Sequence, residues 1–196
     1  MNITKKISKK YYAIVILLSI IVISTVIFKN ALASEESTSE DNKNPPKYSK
    51  FFDEKKHWCD ALVITCTDFR FTTATQEFIN DRLGLKDNYD YISIPGSIRN
   101  LLDPKTRDLV LNAFGVSFRL HHVKRIVILG HQDCTTGYGG SKSFSEPAIE
   151  YETICKDLKK ARKLMRFKFP HLKIYLYYGT VFVNEHQRIY NFKQIL

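Results

Sequence analysis

Apolar and polar positions recur along this chain in two periods, one of strands and one of helices. Ala61–Thr65 is an unbroken apolar run, which predicts a strand buried on both faces. Residues 72–83 carry helical spacing and stop at Gly84, a helix-ending residue. Residues 89–94 read as a second strand, closed by Pro95 and Gly96. Asp103 and Pro104 open a further helix as cap and first-turn proline. Its inner face would be Leu109, Val110, Ala113 and Phe114, with an end near His121. Residues 125–129 give a third strand and residues 172–178 a fourth. Between them Ser145, Glu146 and Pro147 start a long helix in which Tyr151, Ile154, Cys155, Leu158, Ala161 and Met165 recur at helical intervals. Glu146, Glu150 and Glu152 near its start, and Lys159, Lys160, Arg162, Lys163 and Arg166 near its end, match the helix dipole and predict a solvated polar face. Residues 180–191 predict a short final strand or hairpin.

Strands alternating with helices predict an α/β fold, a mostly parallel sheet of four to five strands flanked by helices. An order of 2-1-3-4 puts strands one and three side by side. Ligands of such sheets bind beyond the carboxyl ends of strands, where strand order reverses.

The first fifty residues follow another pattern. Lys5, Lys6, Lys9 and Lys10 precede an apolar run over residues 11–28, followed by Lys29 and an Ala31-Leu-Ala33 ending. Residues 1–33 thus have the three parts of a secretory signal peptide. The run is also about the ~17–25 residues that span a bilayer, so an uncleaved membrane anchor is a close alternative. Either predicts a domain outside the cytoplasm, secreted or held at the outer side of the membrane. Residues 34–50 are polar, contain Pro45 and Pro46, and lack an apolar period. They read as a flexible tether leading to one globular domain, residues 51–196.

The chain has 30 Lys and Arg against 20 Asp and Glu, a net charge of +10. The leader holds five of those lysines and residues 34–50 hold three lysines and four acids, leaving residues 51–196 with 22 basic and 16 acidic residues, a net +6. No basic stripe interleaved with aromatics is present, so nucleic acid is not an expected partner.

Two of the apolar runs end in soft metal ligands. Cys66 follows the first strand, with Asp68 and Arg70 two and four residues beyond it. His131 and Cys134 follow the third, three residues apart, a spacing that lets both side chains reach one ion. Two thiolates and one imidazole on Zn²⁺ leave a fourth tetrahedral position free, which is how catalytic zinc is built. Two other readings stay open at this point. Cys66 and Cys134 can form a disulfide in an exported chain, or serve as small buried hydrophobes.

Cys66, Asp68, Arg70, Gly130, His131 and Cys134, in this strand–helix order, resemble the β-class carbonic anhydrases over about residues 57–190. The resemblance implies that Cys66, His131 and Cys134 hold Zn²⁺, with water or hydroxide as fourth ligand. It implies that Asp68 orients the hydroxide and that Arg70 keeps Asp68 ionised. Zinc-bound hydroxide would then attack carbon dioxide to give bicarbonate, in a homodimer with the site at its interface. Three positions depart from the family pattern. Phe69 stands in place of a small serine, Thr135 in place of glycine, and Pro95-Gly96-Ser97 in place of an Ala-Gly-Asn-like turn. Those departures keep two alternatives: another small linear substrate such as carbonyl sulfide or carbon disulfide, and a non-catalytic zinc or redox-binding surface module. Phe69, Phe71 and Tyr138 are candidates to line a dry pocket or to join the core. Gly96 could present a backbone N–H to substrate or only permit the turn. His57, His121, His122 and His171 qualify as proton shuttles by chemistry alone, and Cys59 and Cys155 as buried hydrophobes or a disulfide.

Overall fold

All five residues of β1 (Ala61–Thr65) are buried, as an unbroken apolar run requires when helices cover both faces of a sheet. The structure is a computed structural model that describes residues 55–196. The leader, its apolar run at 11–28 and the polar stretch 34–50 lie outside the described residues. β2 (Tyr89–Ser93) and β3 (Arg125–His131) flank β1 in parallel, with Leu62 opposite Asp90 on one side and Ile126 on the other. β4 (Lys173–Val183) runs parallel to β3, and β5 (Arg188–Ile195) returns antiparallel along β4. The sheet order is β2-β1-β3-β4-β5. The predicted order 2-1-3-4 is therefore present, and the predicted final hairpin forms its edge. In the hairpin turn, the Asn184 side chain accepts hydrogen bonds from the backbone N–H groups of His186 and Gln187 at 3.2 and 2.7 Å.

α1 (Phe69–Glu77) starts three residues before its apolar spacing suggests, because Asp68 caps it by accepting from the Arg70 N–H. It ends in a π-helical turn, Phe78–Arg82. α2 (Ile98–Leu102) was not anticipated, being too short to show a period. α3 (Pro104–His121) begins where cap and proline predict, and the Asp103 carboxylate accepts from Lys105 N at 2.9 Å. His122, left-handed at φ 52°, ends it. Its inner face differs from expectation. Val110, Phe114 and Ser117 are buried, whereas Leu109 and Ala113 are exposed. Position 109 is one residue, about 100° of helix, from 110, and packing against the sheet selected the stripe through 110, 114 and 117. Leu109, Ala113, Val116 and Leu120 form a second apolar stripe that faces solvent. α4 (Thr135–Tyr138) is a single turn, and α5 (Pro147–Lys168) is the predicted long helix.

Alternation along β1 and β3 sends residues to both sheet faces. Leu62, Ile64, Ile126 and Ile128 pack with Ile98, Phe114, Ile154, Leu158 and Met165 from α2, α3 and α5. Ala61, Val63, Val127 and Leu129 pack on the other side with Ile79, Leu85 and Tyr177. Among the described residues, no helix is long and apolar enough to cross a membrane.

Candidate metal centre

The parallel pairing of β1 with β3 brings Cys66, just past the end of one strand, beside His131 and Cys134 at the end of the other. The donor atoms of these three side chains all lie within 4.8 Å of one another. The two sulfurs are 3.9 Å apart. A disulfide needs ~2.05 Å, and all four cysteines at positions 59, 66, 134 and 155 are free. Two sulfurs on a tetrahedral zinc, each at ~2.3 Å, stand about 3.8 Å apart. The sulfur spacing therefore fits a shared ion.

The imidazole fits it as well. His131 Nδ1 lies 2.7 Å from the Gln132 carbonyl oxygen, which makes Nδ1 the protonated nitrogen and leaves the lone pair on Nε2. Nε2 is buried and has no hydrogen-bond partner, a costly state for a polar atom unless a ligand completes it. The Phe71 ring packs 4.5 Å from the imidazole and against Tyr190, so Phe71 belongs to the support of the histidine.

The sulfurs are prepared for ligation. The hydrogen bond shared with Cys134 draws the Cys66 thiol down; burial opposes this, and contact with His131 and the Gly96 amide assists. The same contact, with burial, pushes Cys134 up. The pair thus favours one thiolate, the form that ligates metals. The Gly96 N–H donates to Cys66 Sγ at 3.3 Å, so that amide serves the sulfur. Gly96 has φ +79° and its backbone meets Gly137, where an added Cβ would stand 3.1 Å from Cys134 Sγ and 3.4 Å from Gly96 Cα. We expect Gly137→Ala to cost about 1–3 kcal/mol through overpacking and to weaken metal retention, as read by chelator competition.

Asp68 and Arg70 sit beside the donor set. Arg70 Nε donates to Asp68 Oδ1 at 2.9 Å and Nη2 to Oδ2 at 2.5 Å. That guanidinium, chiefly by hydrogen bonding, holds the Asp68 carboxyl below the usual range despite partial burial. Arg70 is gripped from the other side by the Asp133 carboxylate at 2.5 Å and the Asp133 carbonyl at 2.9 Å. Its own carbonyl accepts from the Tyr190 hydroxyl. Cys66, Asp68, Phe69, Arg70 and Thr135 line a cavity of about 430 Å³.

Sequence reasoning missed two carboxylates that shape the site. Asp133 has a left-handed backbone, φ 58°, and clamps Arg70 while its other oxygen accepts from Ser141 N at 2.7 Å. Glu150, expected on a solvated face, is 1% exposed. It accepts from the Asp133 N–H at 2.6 Å and from the Ser141 hydroxyl at 2.7 Å. The signal was present: Glu150 precedes Ile154 and Leu158 by four and eight residues, on the buried stripe of α5. Other candidates fall elsewhere. Phe69 is 81% exposed at the cavity rim, and the Tyr138 hydroxyl bonds Asp157 at 3.2 Å. His57, His122 and His171 are exposed, and His121 pairs with Asp90. None of these four histidines lines the cavity.

Residues 56–192 match the family described as "Putative carbonic anhydrase". The chain belongs to this family. An uncharacterized protein of Rickettsia bellii (strain RML369-C) is 31% identical over 122 residues, covering 60% of this chain and 74% of that protein. An uncharacterized protein of Rickettsia conorii (strain Malish 7) is 32% identical over 123 residues, covering 60% of this chain and 65% of its own length. The match thus spans a little under two thirds of the second relative. No solved structure matches. Membership in the family described as "Putative carbonic anhydrase", a mostly parallel five-stranded sheet and a Cys–His–Cys group able to bind a metal thus meet in one chain.

Proposed function

We propose that this protein is a zinc enzyme that reversibly hydrates carbon dioxide to bicarbonate outside the cytoplasm, with Cys66, His131 and Cys134 as ligands. The observation that carries the reading is the buried, unpartnered Nε2 of His131 beside two sulfurs at metal-ligand spacing. Zinc held there would supply a Lewis acid that brings the deprotonation of water toward neutral pH. Thiolate donors already offset part of its charge, so the effect should be smaller than in a site of three histidines.

The protein's own groups divide the remaining work. Asp68 is kept ionised by Arg70 and presents a hydrogen-bond acceptor at the cavity wall. Arg70 holds that carboxylate in one orientation, and Asp133 holds Arg70. The cavity is large enough for a linear triatomic, and Cys66 of the donor set lines it. The leader at residues 1–33 supports export, as cleaved signal or anchor, and residues 34–50 a tether. The solvent-facing stripe of Leu109, Val116 and Leu120 supports a homodimer.

Asp68→Asn tests the assignment with little structural disturbance, since asparagine caps a helix as well as aspartate. We expect zinc content and Tm to stay near those of the parent while CO₂ hydration falls about 10²-fold or more, within the range for a positioned proton-handling group. Stopped-flow hydration at parental rates would remove Asp68 from the catalytic set. The exposed Phe69 at the rim favours one second reading, a substrate such as carbonyl sulfide or carbon disulfide. Turnover of those gases without CO₂ hydration would replace the first reading with it.

A further inference from the structure

At the opposite, amino-terminal end of the sheet three ligand-type side chains from separate segments converge. Cys59 precedes β1, Asp90 is the second residue of β2, and His121 is the last residue of α3. Their donor atoms lie within 4.8 Å of one another, and among the described residues this group and the Cys66–His131–Cys134 group are the two of that kind. We propose that Cys59, Asp90 and His121 form a second metal site, for a borderline divalent cation such as Zn²⁺. The inference is independent of the reaction assigned to the first site.

The backbone already holds the three residues together. The Cys59 N–H donates to the His121 carbonyl at 2.9 Å, and the Asp60 N–H to the Asn88 carbonyl at 3.0 Å. Parallel pairing of β1 with β2 sets Leu62 beside Asp90. The left-handed His122 ends α3 immediately after the ligand. Such support lets side chains meet an ion without reordering the chain.

Both Asp90 carboxylate oxygens lie close to His121 Nδ1, at 2.7 and 2.9 Å, an arrangement that one proton bridges. A cation in place of that proton, with bonds of ~2.0–2.1 Å, sets nitrogen and oxygen about 3.3 Å apart. The pair must then part by about half an ångström, which side-chain torsions supply. The Cys59 thiol has a weak contact to give up, its donation to the Ala61 carbonyl at 3.5 Å. The His121 and Asp90 side chains keep 42% and 25% of their exposure, so the ion has a way in. A set of one sulfur, one nitrogen and one oxygen suits zinc-like ions; magnesium and calcium prefer all-oxygen cages.

The bland alternative is an ordinary His–Asp pair beside a half-buried thiol. The two differ in stoichiometry and in linkage, because an ion bound to the folded state raises Tm. The full chain is loaded with Zn²⁺, dialysed, and assayed for zinc per chain and for Tm with added zinc. We expect two zinc ions in the parent, one in Cys66→Ser, and none in Cys66→Ser/Cys59→Ser. We also expect added zinc to raise the Tm of Cys66→Ser and to leave that of the double variant unmoved. Asp90→Asn and His121→Gln on the Cys66→Ser background repeat the loss with smaller changes of shape. Zinc content unchanged by Cys59→Ser, or Cys66→Ser holding none, overturns the site. Parent and Cys66→Ser each holding one ion that Cys59→Ser removes would uphold this site and sink the zinc centre at Cys66.

Discussion

Cys66→Ala should leave the protein without stoichiometric zinc at the strand-end centre and reduce CO₂ hydration to the buffer background. The residue would supply one of the three proposed protein donors, and contact with Cys134 draws its thiol toward the ionised form. Losing even an outer-shell partner of a zinc ligand typically costs 10–100-fold in affinity or activity, and loss of a ligand itself costs more. The remaining His131 and Cys134 cannot complete a three-donor site. A thermal effect should accompany the chemical one. Zinc that binds only the folded state adds about 4.1 kcal/mol of stability at a thousand times its Kd, and this contribution disappears with the site. The check is zinc analysis after dialysis, stopped-flow hydration and a thermal scan with and without added zinc. Parental hydration in Cys66→Ala would end the assignment of this centre to catalysis.

Glu150→Ala should be the most damaging single change outside the donor set. The side chain is buried and is the acceptor for the Asp133 N–H and the Ser141 hydroxyl. Its removal strands the Asp133 N–H inside the protein, at about 1–3 kcal/mol for a buried unsatisfied donor, and leaves a void beneath the turn. A total near 3–4 kcal/mol places it among the large effects on single-residue substitution. Tm should fall on the order of 10 °C for a domain of this size. Asp133 adopts a left-handed backbone that a non-glycine residue holds only with support. Relaxation there loosens the grip on Arg70 and the turn that carries His131 and Cys134, so zinc retention should drop as well. Glu150→Gln keeps an oxygen for the Asp133 N–H and should cost less than half as much. Denaturant unfolding and chelator competition on both variants give the comparison. Equal stability of Glu150→Ala and the parent would show that the turn needs no such support.

The centre depends on a short series of contacts, each restricting the next. Glu150 positions Asp133, Asp133 and Tyr190 position Arg70, and Arg70 positions Asp68. Phe71 and Gln132 do the same for His131. An acceptor that must stand in one place beside a reacting molecule gains from such fixing, since geometry held in advance does not have to be ordered during the reaction.

By itself the sequence determined the local terms: which runs are strands, where Asp103-Pro104 and Glu146-Pro147 start helices, and which residue types at strand ends can take a metal. These depend on periodicity, capping and ligand chemistry, which act over a few residues. The sheet order was legible because alternating strands and helices leave few arrangements. Tertiary structure alone decided which apolar stripe of α3 faces inward. It also decided that the Gly96 amide serves a sulfur and that Glu150 is buried. Packing chooses between helix faces one residue apart, and a carboxylate's burial depends on donors brought from another segment. Only the fold could bring Cys59, Asp90 and His121 together, because residues at successive separations of 31 positions, 62 from first to last, meet through β1–β2 pairing and the return of α3, not through any local rule.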